Sequence, residues 1–161
     1  MNVHISRNAE LFYKALEDMW SAEQVWYGNP NTAVWLCTQA AEKTMKGFLF
    51  SQNMDYDHGH ELDILLDEVL NKYDVPKKIS QLILFLNTFG NRLRYRNMLN
   101  DPLPEDAQLA ISRTKQIMRE FNSNPKISSY MDEAREVHLK IIKANYEKYS
   151  KIDISNDKPS R

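Results

Sequence analysis

Hydrophobic positions recur every three or four residues along most of the chain, the spacing of amphipathic helices rather than of strands. In segment 6–28, Phe12, Leu16, Met19 and Trp26 form one stripe at offsets of 4, 7 and 14. Gly28-Asn29-Pro30-Asn31 ends it, since Gly suits the close of one helix and Asn/Pro the start of the next. A second stripe runs through Val34, Cys37, Ala41, Met45 and Phe48 in 31–52, and a third through Leu62, Leu65, Leu66 and Val69 in 61–73. The fourth segment opens at Pro76 and repeats Ile79, Leu82, Leu86, Phe89 and Leu93 up to Asn100-Asp101-Pro102-Leu103-Pro104. Ala107, Ile111, Thr114 and Met118 mark a fifth over 104–122. Asn122-Ser123-Asn124-Pro125 then separates a sixth over 127–149 from a polar, frayed end at 151–161. Long amphipathic helices joined by short loops predict an all-α fold, an up-and-down antiparallel bundle of five core helices plus a C-terminal helix.

Composition agrees with the pattern. Ala, Leu, Met, Glu, Lys, Arg and Gln supply 71 of 161 residues, whereas Val and Thr together supply 11. The length fits one domain. The single cysteine, Cys37, excludes an internal disulfide, and no signal-like N-terminus precedes the first helix, so a cytoplasmic location is expected. No apolar run approaches the roughly 20 residues of a membrane span.

Charge changes the picture more. The net charge of −1 excludes a bulk polycation, but it is unevenly laid out. Residues 53–74 carry 1 basic and 7 acidic groups, whereas residues 75–125 carry 8 basic and 4 acidic, with no acid between Asp74 and Asp101. The adjacent segments either neutralise each other across a helix pair or leave a basic face for a ligand.

The second helix then carries a signature. Cys37-Thr38-Gln39-Ala40-Ala41-Glu42-Lys43-Thr44-Met45-Lys46-Gly47 resembles the Q-A-x-E-K-x-x-K-A/G block of the HEPN family (higher eukaryote and prokaryote nucleotide-binding domains). His60-Glu61-Leu62-Asp63-Ile64-Leu65-Leu66 resembles the H-x-L-x-x-L opening of its third helix, and Arg94-Tyr95 the R-Y pair of its fourth. The three blocks stand in family order and place a HEPN-like bundle at 1–124, an additional C-terminal helix packing on it at 125–150 and a flexible tail at 151–161. The resemblance implies a helical bundle, often dimeric, frequently paired with a minimal nucleotidyltransferase in a toxin–antitoxin-like context. Some members are metal-independent endoribonucleases with an Arg followed four to six residues later by His.

This sequence lacks that spacing: His4, His58, His60 and His138 include none four to six residues after an Arg. Around Phe89-Gly90-Asn91-Arg92-Leu93-Arg94-Tyr95, Tyr95 would stand where the catalytic His belongs, and a phenol with a pKa of about 10 is a poor proton carrier at neutral pH. The reading is therefore a non-catalytic binding protein with no catalytic residues assigned.

The candidate ligand-binding residues are Gln39, Lys43 and Lys46 on helix two, His60, and Arg92, Arg94, Tyr95 and Arg96. Gln39, Lys43 and Lys46 share one side of their helix, with Glu42 beside them. They form either a polar seam for a phosphate or nucleobase or a packing seam in which Glu42 pairs with an Arg of helix four. Arg92 and Arg96, four apart, can grip phosphate while Tyr95 stacks a base, or two of the arginines can bridge to the acidic third helix. Asp55-Tyr56-Asp57-His58-Gly59-His60-Glu61 is rich in metal ligands, yet its glycine is in the wrong register for an EF-hand, and two more zinc ligands would be needed. No metal and no cofactor are expected.

The aromatic residues of helix one (Phe12, Tyr13, Trp20, Trp26 and Tyr27) exceed what one buried stripe absorbs. They predict a second covered face, as a homodimer interface would supply, unless the sixth helix covers it. The functional expectation is a HEPN-type binder of nucleotide or RNA, or of a minimal nucleotidyltransferase, without membrane association. The alternatives are a metal-independent endoribonuclease toxin with an atypical Arg/Tyr site and a structural helical dimer without ligand.

Overall fold

The computed structural model describes residues 4–54, 59, 61–94 and 101–150. Among them are six helices and no strand: α1 (Glu10–Val25), α2 (Pro30–Ser51), α3 (Leu62–Leu70), α4 (Lys77–Arg94), α5 (Pro104–Asn122) and α6 (Ser128–Tyr149). The all-α expectation holds.

Helix starts follow local chemistry. Asn29 Oδ1 accepts from the Thr32 backbone N–H at 3.1 Å with Pro30 in the first helical position, so one orphan donor of α2 is satisfied where Pro lacks a donor anyway. At α5, Pro104 opens the helix, and the Asp106 carboxylate reaches back to accept from the Leu103 N–H at 2.9 Å.

The central element is α2, which packs against α1, α3, α4 and α5. Accordingly 13 of its 22 residues are buried, more than one amphipathic face provides. Thr38, Thr44 and Thr114 are tolerated inside because each hydroxyl donates to the carbonyl four residues earlier, at 3.0, 2.8 and 2.9 Å. The α1–α2 approach is close. A Cβ at Gly47 would lie 2.9 Å from the Phe12 ring, and Ala15, Ala22, Ala33 and Ala40 are fully buried.

Contacts set the helix directions. Phe12 meets Gly47 and Asp18 meets Lys43, so α1 and α2 are antiparallel. Tyr73, just before α4, lies near Glu120, and Phe85 lies under Arg113, so α4 opposes α5. Phe48, Tyr73 and Phe121 form an aromatic knot with centroids 5.7–5.8 Å apart where α2 and α5 end together. Ser6 donates to Glu133 through both its N–H and its hydroxyl at 2.7 Å, and Tyr13 meets the His138 ring edge-on at 6.0 Å. Hence α6 lies along α1 and runs in the same sense.

Two details differ from the periodicity. In α1 the deeply buried set is Phe12, Ala15, Met19 and Ala22, while Leu16 and Trp26 are half-buried, because the close partner α2 selects small side chains. In α4, Ile83 is fully buried and Leu82 only partly so, while Ile79 and Leu86 are buried as the stripe predicts.

Candidate functional site

Of the signature residues of α2, Lys46 reaches toward the start of α3, and Gln39 and Glu42 are linked to it. Glu42 and Lys46, one turn apart, are both buried, with 4% and 8% of their surface exposed. Lys46 Nζ donates to Glu42 Oε1 at 2.8 Å and to the Gly59 carbonyl at 2.8 Å, while Gln39 Nε2 donates to Glu42 Oε2 at 3.1 Å. Two charges removed from water are tolerable only when each finds partners. Lys46 therefore clamps the approach to α3.

At the start of α3, Glu61 makes no side-chain capping bond, and the Asp63 carboxylate accepts from the Ile64 N–H at 3.0 Å. Asn87 of α4 adds a cap from another helix: its Oδ1 accepts from the Leu62 backbone N–H at 3.2 Å. Through Lys46 and Asn87, the start of α3 is pinned between α2 and α4. Asn87 escaped the sequence reading. Its only signal was a polar pair, Asn87-Thr88, between the apolar Leu86 and Phe89.

The structure splits the expected triad. Gln39 and Lys46 converge on Glu42, whereas Lys43 turns to α1 and pairs with Asp18. Burial lifts the Asp18 carboxyl above its ordinary range despite the Lys43 ammonium beside it. His60, Tyr95 and Arg96 lie outside the described residues, and Arg92 and Arg94 are placed as backbone positions of the last turn of α4.

Other reactive groups are tied up. Cys37 is buried against α5, which pushes its thiol up to about 12 and leaves no thiolate for chemistry at neutral pH. Among the described residues, no three His, Cys, Asp or Glu side chains converge as a metal set, and no helix is long and apolar enough to cross a membrane.

The HEPN domain model matches residues 6–124. The chain belongs to the HEPN family. Family membership supports a nucleotide- or RNA-related function in general. The crystal structure of an archaeal HEPN homologue superposes with a TM-score of 0.59 at 24% identity, over 73% of this chain and 97% of that one. That similarity shows the fold. No curated protein matches the chain. Helix α6 lies beyond the HEPN match.

Proposed function

We propose that this HEPN protein is a non-nucleolytic binding module whose ligand is a nucleotide or single-stranded RNA, gripped at the end of α4. The observation that carries the reading is the acid-free stretch 75–100 with Arg92, Arg94 and Arg96 beside Tyr95, in a HEPN chain without the Arg–His spacing of the nucleases. Three guanidiniums supply bidentate phosphate contacts and a phenol supplies a stacking face, but none exchanges protons near neutral pH. In this reading Gln39, Lys43 and Lys46 are positioning groups: Lys46, paired with Glu42, holds the Gly59 carbonyl, and Lys43 ties α2 to α1.

The same reading gives the protein a cytoplasmic, toxin–antitoxin-like setting with a minimal nucleotidyltransferase as partner. It also includes a homodimer. With α6 lying over Tyr13, the exposed aromatic residues at the other end of α1 are Tyr27 and, early in α2, Trp35, at 76% and 49% exposure. They support an isologous contact there. Incubation of an excess of the protein with total RNA and chelator tests the main reading. Intact RNA is expected. Cleavage that co-purifies with the protein and vanishes in Arg94→Ala would replace it with the nuclease reading.

A further inference from the structure

Helix α6 builds something that the family-matched bundle does not contain. Its inner stripe faces α1 across a groove of about 700 Å³, within the roughly 300–1,000 Å³ of small-molecule sites. At one end the two helices are held together by Ser6–Glu133 and by the Tyr13–His138 ring contact. At the other the groove opens between Trp20 and Tyr146, which remain 46% and 75% exposed. Ile141 and Ile142 line it from the α6 side.

The charges in this groove have one sign. Glu17 and Asp18 line it, and among the described residues no Lys or Arg does. Asp18 is paired with Lys43, but Glu17 has only the Tyr13 hydroxyl, which donates to its Oε1 at 2.6 Å, and no ion pair among the described residues. Half-burial also holds His138 below its ordinary pKa, so at neutral pH it adds no opposing positive charge. An indole and a phenol flanking a carboxylate in an open cleft form an environment in which a cation gains from both ring faces and countercharge.

We infer that the α1–α6 groove is a binding site for a small organic ammonium compound, with its charged nitrogen between Trp20, Tyr146 and Glu17 and its apolar body against Ile141 and Ile142. An anion would meet Glu17, and an uncharged apolar ligand would leave Glu17 uncompensated.

Choline and its uncharged isostere 3,3-dimethylbutan-1-ol decide the matter, each titrated into the full-length protein while the indole resonances of the three tryptophans are followed by NMR. Saturable movement of the Trp20 indole by choline is expected, with the isostere severalfold weaker, in line with a cation–π contact at a half-exposed ring. Followed at the Ile141 and Ile142 methyl resonances, which these substitutions leave in place, choline affinity should fall severalfold in Glu17→Gln, be lost in Trp20→Leu and be partly retained in Trp20→Phe. Circular dichroism of each variant should match the parent, because both side chains are largely exposed. Equal binding of the isostere, choline shifts confined to Trp26 or Trp35, or the absence of saturable binding would each overturn the assignment.

Discussion

Helix α1 has two packed faces, and they are built in opposite ways. Toward α2 it offers Ala15, Ala22 and the Phe12 ring against Gly47, so the backbones approach closely and nothing is left between them. Toward α6 it offers Tyr13, Glu17 and Trp20, large or charged groups that hold the helices apart and leave a groove. Small residues make an interface that is only structural, since its free energy lies in dispersion and area removed from water. Aromatic and acidic residues on a wide interface leave unspent binding capacity. The contrast separates the part of the protein that specifies the fold from the part available for recognition.

The comparison predicts a graded response to substitution. Phe12→Ala empties a fully buried site at the close face and should destabilise the protein by about 3–5 kcal/mol in urea denaturation. A loss under 1 kcal/mol would mean that α1 and α2 are not in intimate contact. Glu42→Ala leaves the buried Lys46 ammonium without its carboxylate, and a loss of similar size, about 3–5 kcal/mol, is expected. Gly47→Ala places a methyl group against the Phe12 ring and should cost about 1–3 kcal/mol, whereas the same test at Gly28, where nothing lies within 4 Å, should show no steric loss.

The wide face responds to pH rather than to volume. Burial lowers the His138 pKa from its ordinary 6.5, with Glu17 opposing the shift, so the unfolded chain takes up a proton first as pH falls. The stability His138 contributes is therefore present above about pH 6.5 and is lost on acidification. Denaturation midpoints of His138→Gln measured from pH 7.5 to 5 should lack that part of the slope. Smallest of all, Trp20→Leu should change stability by no more than about 0.5 kcal/mol, because its ring is half in water.

Legibility in the sequence followed the same division. The stripes of α2 and α3 were readable because Val34, Cys37, Met45, Leu62, Leu65 and Val69 are large enough to stand out and do face inward. In α1 the pattern pointed to Leu16 and Trp26, yet Ala15 and Ala22 are buried more deeply, since alanine gives little periodic signal where backbones come close. For the candidate site, helical spacing placed Glu42 beside Gln39 and Lys46 but, in the packing seam, assigned it to an Arg of helix four, whereas the structure links both to Glu42. The turn of Lys43 to Asp18 depends on how α1 lies across α2, and the Asn87 cap on a contact spanning 25 residues. Neither separation leaves a local trace. The excess aromatic residues of α1 did announce a second covered face. Only the fold shows that α6 covers Tyr13 and leaves Trp20 at the mouth of a groove.

Homodimer formation bears on the ends of this comparison. Sedimentation equilibrium at micromolar concentration should give twice 18.9 kDa, and Trp35→Glu should return the protein to the monomer. Dissociation caused by Trp20→Glu instead would place the subunit contact over the α1–α6 groove.

The central functional claim is that the protein binds nucleotide or RNA without cutting it. Fluorescence anisotropy of a labelled single-stranded RNA, titrated with the wild-type protein and with the Arg92→Ala/Arg96→Ala variant, tests it most directly. Saturable binding that weakens with salt and is largely lost in the variant, with the RNA recovered intact, is the predicted result. Anisotropy that stays flat through micromolar protein, or an equal response from the variant, would contradict it.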